Sequence, residues 1–400
     1  MDNLDKYSKG DQVDIKEITI KKPGGEVIDI ADIMQEIIIH EDVLGGSMSA
    51  KLVILDQVNL VGTLPIVGGE DVYIKYKTPV RNEYKELTFK VYRIGDRDLQ
   101  NDASNIQVNI LYLCTNETWW AANNDVGNGI KGTYAEIVDK LLRLSGSEKK
   151  LDKEETLGIV TYVSPMWDIF KGINWCATRS NSVSMTPYFF WETAHGYHFK
   201  NLKTLYDQAA FKRIYAEDRS TLGTEVQPEK TFNSVYSFEY GESNNRLQQF
   251  KDMAFGGDIM TIDPLTKRFT KKNYQYDEFF NGANSHVEGF PLNDDMKDKR
   301  SRLSIVYAQA DDSQLGAYSR NAAISLMDNV KLMVSIPGDS DLKAGDCLWM
   351  EIPVKVGLEI GPEVHTSGKW LVRSLKHLIQ RTSYTQICEL TKDSFSAAVR

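Results

Sequence analysis

His195 and His198, three residues apart, come nearest in this sequence to the spacing of metal ligands. They fall on a predicted turn and the strand after it, not on a helix where a short spacing would put both on one face. Aromatic packing or surface placement is the expected role, and no metal site is assigned to them. Cys114, Cys176, Cys347 and Cys388 lie far apart, with no CxxC pair and no histidine at zinc-module spacing. Neither a disulfide framework nor a zinc module is indicated. Cys114 and Cys388 each sit near the end of an amphipathic strand and read as small core residues, not nucleophiles. No GxSxG elbow, HExxH helix or GxxxxGK[ST] loop occurs, and Gly368-Lys369 is followed by Trp370 with no glycine at the upstream position. Asp96-Arg-Asp-Leu-Gln-Asn101 lacks the glycine and closing glutamate of a calcium loop. Trp119-Trp120 and Tyr188-Phe-Phe-Trp191 could stack on sugars or bases. No basic patch accompanies them, so core packing is preferred. The sequence thus assigns no catalytic, cofactor-binding or metal-binding residue and no cofactor.

The elements around these residues are mostly strands. Val72, Ile74 and Tyr76 alternate with polar neighbours, as do Leu87, Phe89 and Val91, and then Ile106, Val108, Ile110 and Tyr112. A period of two is the mark of half-buried antiparallel strands. The turns between them, at Gly68-Gly69, Pro79 and Asp96–Asn105, are polar or marked by Gly and Pro. Residues 13–117 are therefore predicted as an antiparallel sandwich or barrel behind a loose polar arm over 1–12. An α+β insertion is expected over 118–230. Thr133-Tyr-Ala-Glu136 reads as a capping box opening a helix with Ile137, Val138, Leu141 and Leu142 on one face and Gly146 past its end. Ser164-Pro165 reads as the cap and first turn of a second helix carrying Ile169, Phe170, Ile173 and Ala177. Pro187–Glu192 and Gly196–Phe199 read as a ribbon across a turn at Thr193–Gly196, and 208–230 as a charged connector. Residues 231–318 mix short strands (232–240, 257–263, 302–308) with a mixed-charge loop at 293–300. A helix near 320–327 and strands at 330–336, 346–352, 369–379 and 384–391 complete 319–400. The fold class is α+β, mainly β.

Composition bounds the rest. An apolar share of 42% and a charged share of 26% over 400 residues describe a folded chain of two to four domains. No apolar run nears the ~18 residues that span a bilayer. The first residues lack the basic region and apolar stretch of a signal peptide, so folding in a reducing cytosol is expected. Lys and Arg number 47 against 56 Asp and Glu, a net charge of −9. That disfavours a protein whose main task is gripping nucleic acid.

Two β segments look alike. Gly69-Glu-Asp-Val-Tyr-Ile-Lys-Tyr begins a strand–turn–strand run ending near Thr115, and Gly345-Asp-Cys-Leu-Trp-Met-Glu-Ile begins one ending near Thr391. Both ends are displaced by 276 positions, and Val72, Ile74 and Tyr76 match Leu348, Met350 and Ile352. Two copies of one β-domain would share strand order, with Val72 and Leu348 in corresponding places. Chance likeness between amphipathic strands is the alternative, and membership of a single sheet, or unrelated topologies, would mean that the alignment is chance.

Ser164-Pro-Met-Trp-Asp-Ile-Phe-Lys-Gly-Ile-Asn-Trp-Cys-Ala177 is followed by Pro187-Tyr-Phe-Phe-Trp-Glu and Gly196-Tyr-His-Phe-Lys-Asn-Leu202. Near the end come Ile336-Pro-Gly-Asp, Leu342-Lys-Ala-Gly-Asp346 and Gly368-Lys-Trp-Leu-Val-Arg-Ser-Leu-Lys-His377. Together these stretches resemble the central baseplate hub protein of contractile-tailed bacteriophages, and are similar to long-tailed phage hubs and the base of type VI secretion spikes. The resemblance implies two similar tube-type β-barrels per chain, the second built from 319–400 and part of 231–318, which also holds inserted strands and a loop. It implies a homotrimer presenting six barrels, a symmetry adaptor between a six-fold tail tube and a three-fold central spike. The implied protein is structural and not an enzyme. It would sit in the virion's tail baseplate after assembly in the host bacterial cytoplasm. Its implied partners are the central spike protein, the tail tube or tube-initiator protein and baseplate wedge proteins, with DNA only passing through the lumen and no membrane insertion. A ring through which DNA slides is expected to be acidic or neutral inside, with Lys75 and Lys77 on outer faces or at subunit contacts. One departure is that no fused lysozyme, oligosaccharide-binding domain or spike β-helix is recognisable, so the spike is expected as a separate chain. A tail-tip enzyme that cuts the cell wall, and the equivalent hub of a bacterial contractile injection system, are the alternatives.

Overall fold

The computed structural model describes residues 11–56, 66–99, 107–180, 186–216, 232–243, 245–252, 256–264, 266–275, 303–307, 313–356, 359–363 and 366–393. The first β-unit comprises β1 (Asp14–Lys21), β2 (Val27–Asp29), β3 (Met34–Asp42), β4 (Ser49–Asp56), β5 (Asp71–Lys77), β6 (Lys85–Leu99) and β7 (Gln107–Thr115). Their alternation is read out directly as burial. Val72, Ile74 and Tyr76 of β5 are fully buried, while the residues between them are half-exposed. Ile18, Ile37, Ile39, Leu52, Phe89 and Leu113 join them, so all six long strands wall one core. β6 runs on through Leu99, past the turn expected at Asp96.

The insertion follows as α1 (Asn116–Asn123), β8 (Gly129–Gly132), α2 (Tyr134–Leu144), β9 (Leu151–Lys153), β10 (Val160–Val163), α3 (Ile169–Arg179), β11 (Tyr188–Thr193), β12 (Gly196–Asn201) and α4 (Leu202–Asp207). Thr133 and Glu136 form the reciprocal capping box at the start of α2. The second cap differs from expectation. Asp168, not Ser164, accepts the Lys171 amide at 2.9 Å and starts α3, because Met166 takes a left-handed backbone (φ +57°) and Trp167 pairs with Val126 in a β-bridge, which keeps 164–167 out of the helix. β11 and β12 form the expected ribbon, with Gly196 at φ +117° closing its two-residue turn.

The second β-unit comprises β13 (Ala210–Tyr215), β14 (Ser237–Tyr240), then α5 (Arg246–Lys251), β15 (Gly256–Asp263), β16 (Arg268–Gln275), β17 (Leu303–Tyr307) and α6 (Ser313–Met327). It resumes with β18 (Val330–Pro337), β19 (Cys347–Glu351), β20 (Pro353–Val356), β21 (Glu359–Pro362), β22 (Gly368–Gln380) and β23 (Tyr384–Lys392). β15–β17 form a small sheet of their own, and β20–β21 a hairpin. Part of the expected connector is instead a sheet strand: β13 pairs in parallel with β19. The remainder of that connector, from 217 to 230, and the mixed-charge loop at 293–300 lie outside the described residues.

The two units share one strand order. In chain order, β1, β3, β4, β5, β6 and β7 answer to β13, β14, β18, β19, β22 and β23, and both sets lie side by side as second, third, sixth, fifth, fourth, first. Val72 faces Phe89, and Leu348 faces Trp370. Gly69 and Gly345 both adopt the left-handed backbone, φ +90° and +91°, which only glycine takes without strain. Each following carboxylate reaches back to an amide three residues earlier, Glu70 to Val67 at 2.8 Å and Asp346 to Lys343 at 3.2 Å. Gly69 and Glu70 then bond both backbone groups of Val91, as Gly345 and Asp346 bond those of Val372. A β-bulge follows at the same step, between Val91 and Arg93 and between Val372 and Ser374. Two expectations need correction. Leu113 faces Val91 where Leu390 faces Val372, so the displacement at the end is 277 and Thr391 answers to Cys114, not Thr115. The copies also do not form separate sheets: β3 pairs with β22, fusing them into one 13-stranded sheet. That seam joins two complete sets of six strands, so it does not reduce the likeness to chance. The last pair departs in direction, antiparallel for β1 and β5 but parallel for β13 and β19.

Candidate functional site

The seam between the units is where all three parts of the chain meet. Its ladder runs from Ser374 opposite Asp42 to Gln380 opposite Glu36. Ile379 and Tyr384 of the second unit complete the first unit's core, with the Tyr384 ring edge-on to Tyr76 at 5.8 Å. Alternation along β3 places Ile37, Ile39 and then Glu41 on the buried face. Fully buried Glu41 accepts the Ala194 amide from the insertion at 2.7 Å and the Ala344 amide from the second unit at 3.0 Å. His377 Nε2 of β22 lies 3.6 Å away. Burial pushes this carboxyl up, but His377 and the two amides outweigh it and hold it below the usual range. His377 Nδ1 meets the Tyr384 hydroxyl at 2.6 Å, and Gln386 donates to the same hydroxyl at 3.0 Å and to the Asp339 carbonyl at 2.9 Å.

A second bridge crosses beside it. Arg81 of the first unit grips the buried Asp339 carboxylate bidentately, at 2.8 and 2.7 Å, with Lys212 at 3.7 Å. Burial alone would raise Asp339, but these cations hold it below the usual range. Glu192 of the insertion accepts the Met48 amide at 3.0 Å and Lys149 at 2.6 Å, and Lys149 also meets Glu117 at 2.8 Å. These contacts fix the geometry between parts. Among the described residues no group of three or more His, Cys, Asp or Glu side chains is placed to hold a metal.

The residues singled out by type have packing partners. His195 is exposed, with Nε2 2.9 Å from Lys85 Nζ. His198 is buried against Trp191, ring centroids 5.0 Å apart, and meets Thr193 Oγ1 at 2.9 Å. Tyr188, Phe189, Phe190 and Trp191 are all buried, and Trp120 packs against the insertion's core. Burial pushes the Cys114 thiol up to about 11 and the Cys388 thiol to about 12. Lys75 and Lys77 are partly exposed, but their charges are met within the chain, by Glu86 and by Asp14 at 3.9 Å. The Asp96–Asn101 stretch spans the end of β6 and residues outside those described. Reasoning from residue types missed Glu41, although its phase in the alternation Ile37, Ile39, Glu41 was the available signal.

His198 makes the insertion acid-sensitive. Burial holds its imidazole down to about 4, with Asp152 at 3.7 Å and Lys200 nearby. The unfolded chain takes up that proton near 6.5, so stability is lost as pH falls from 6.5 towards 4. At ~1.4 kcal/mol per pH unit this costs about 2 kcal/mol by pH 5. His198→Phe should abolish that part of the difference between urea midpoints at pH 7 and pH 5. An equal acid shift in variant and wild type would refute it.

No protein-family model matches the chain. Over 92% of its length it is 20% identical to a probable baseplate hub protein of Vibrio phage KVP40, of which it covers 92%. This chain resembles a baseplate hub. The tail protein of Neisseria meningitidis MC58 superposes with a TM-score of 0.57 at 11% identity, covering 94% of this chain and 96% of that one. The 43 kDa tail protein of prophage MuSo2 from Shewanella oneidensis gives 0.57 at 12% identity, with 95% and 99% covered. The mainly β, α+β fold is shared with these tail proteins. No helix among the described residues is long and apolar enough to cross a membrane.

Proposed function

We propose that the chain is a structural hub of a phage tail baseplate, acting as a trimeric symmetry adaptor between a six-fold tube and a three-fold spike. The carrying observation is the internal duplication. Two units of the same strand order, the same glycine–acid turn and the same bulge supply two equivalent surfaces per chain. Three such chains present six, which is the count a six-fold tube must meet, while the insertion occurs once per chain and keeps three-fold symmetry. Similarity to a probable baseplate hub protein across nearly the whole chain supports the same reading. So do the polar clusters at the seam, whose charged groups tie the two units and the insertion to one another. On this reading the partners are the central spike, the tail tube or its initiator and wedge proteins, and DNA passes through the lumen. The site of action is the virion's tail.

Native mass spectrometry of the purified chain is the test. A species of three times the 45.4 kDa chain mass is expected at micromolar concentration. A chain that stays monomeric over the whole range, and also when co-expressed with the spike subunit of the same tail, would overturn the hub assignment.

A further inference from the structure

The seam inside the chain has an unused twin. β3 pairs on one side with β4 and on the other with β22. Its counterpart β14 pairs with β18, and no described residue pairs with its other edge. β6, the counterpart of β22, pairs with β5 and, through Val91, with Gly69 and Glu70. Beyond Val91 that edge too has no described partner, whereas the same stretch of β22 carries β3.

We infer that β14 of one copy pairs with β6 of the next, in the register by which β3 pairs with β22; this rests on the ring reading above and specifies its subunit contact. The equivalences fix the register. Ile39 faces Ala50 and Tyr240 faces Leu332, while Ala50 and Leu332 face Leu113 and Leu390. Tyr240 therefore stands in the place of Ile39, Phe238 of Ile37, Glu242 of Glu41 and Ser243 of Asp42. Arg93 stands in the place of Ser374, and Ile94 of Leu375. Transferring the internal ladder puts Ser243 opposite Arg93 and Glu242 opposite Ile94 in the adjoining copy.

Two observations say that a second copy covers this edge. Ile37 and Ile39, roofed by β22, are fully buried, while Phe238 and Tyr240 at the matching positions are 40% and 46% exposed. Exposed aromatics along an unpaired strand are a liability unless a partner covers them. Tyr92, on the facing β6 edge, is likewise 50% exposed. The charges favour the register at one end: exposed Glu242, next to Ser243, lies beside exposed Arg93, while Glu239 takes the position opposite Asp98. The contact is head-to-tail, and alternating it with the internal seam strings units in one direction, as a closed ring requires.

Paired cysteines at facing antiparallel positions test it, because directly opposed side chains lie within disulfide reach. All four native cysteines are buried, so the background is low. In the Arg93→Cys/Ser243→Cys double variant, mild oxidation should give covalent dimers and then trimers on a non-reducing gel. Each single variant should remain at chain mass, and Arg93→Cys/Glu239→Cys, four residues out of register, should not cross-link. A protein that is trimeric by native mass yet yields no Arg93→Cys/Ser243→Cys cross-link would overturn this edge and leave the ring intact. A chain monomeric at all concentrations would overturn both. If the double variant does not fold, hydrogen exchange on the wild type decides. Amides of 237–243 should exchange at least about tenfold more slowly in the trimer than in the dissociated chain; equal rates would refute the pairing.

Discussion

Replacing Glu41 by alanine should lower stability by about 3–5 kcal/mol, the cost of removing one member of a buried charged cluster. The carboxylate is the common acceptor for the Ala194 and Ala344 amides and faces His377, so its loss strands donors from the insertion and from the second unit at once. Water cannot replace it without opening the seam. Glu41→Gln keeps one acceptor oxygen and should cost about 1–3 kcal/mol. The effect carries a pH signature. Because the folded carboxyl sits below its ordinary 4.5, its contribution is present above that pH and disappears as the pH falls through the lowered value. The gap between wild type and Glu41→Gln should therefore be widest near neutrality and close in acid. Guanidinium midpoints between pH 7 and pH 3 measure it. A Glu41→Ala variant within 1 kcal/mol of wild type at pH 7, or a gap that grows in acid, would show that the node does not hold the parts together.

What could be read in the sequence was what is decided locally. Val72, Ile74 and Tyr76 announce a half-buried strand because side chains alternate faces whatever lies above them. Thr133 and Glu136 announce a helix start because the two caps satisfy each other within one turn. The glycine–acid turns at Gly69 and Gly345 betrayed the duplication for the same reason: a left-handed backbone selects glycine, and the acid's partner is three residues away. The seam was invisible because its partners, such as His40 and Ser374, are 334 residues apart and nothing local marks β3 for β22. Ser164 lost the helix cap to Asp168 through a bridge between Trp167 and Val126, a non-local contact. Glu41 was passed over because a carboxylate in an apolar strand reads as a solvent-facing residue until the phase of its neighbours is counted.

Trp191→Ala should cost about 3–5 kcal/mol as well, by a different mechanism. Trp191 belongs by sequence to the insertion but packs in the second unit's core, where it is among the largest fully buried side chains. Its indole Nε1 donates to the Ala344 carbonyl at 3.0 Å, and the ring lies so close to Gly345 that a Cβ there would approach it within 2.7 Å. Gly345 is thus held to glycine twice, by its φ of +91° and by this ring. The indole also brackets Ala344 from the side opposite Glu41, since one residue gives its amide to the carboxylate and its carbonyl to the tryptophan. Truncation would leave a cavity and an unpaired carbonyl beside the repeat's key turn. Trp191→Phe retains most of the volume and loses only the hydrogen bond and some packing, so about 1–2 kcal/mol is expected. The two losses should not add. Glu41→Ala already frees the Ala344 segment, so the double variant with Trp191→Ala should be more stable than the sum of the singles predicts by at least about 0.5 kcal/mol. Strict additivity in a double-mutant cycle, read by far-ultraviolet circular dichroism in guanidinium, would mean that insertion and second unit are clamped independently and that Ala344 is not their shared anchor.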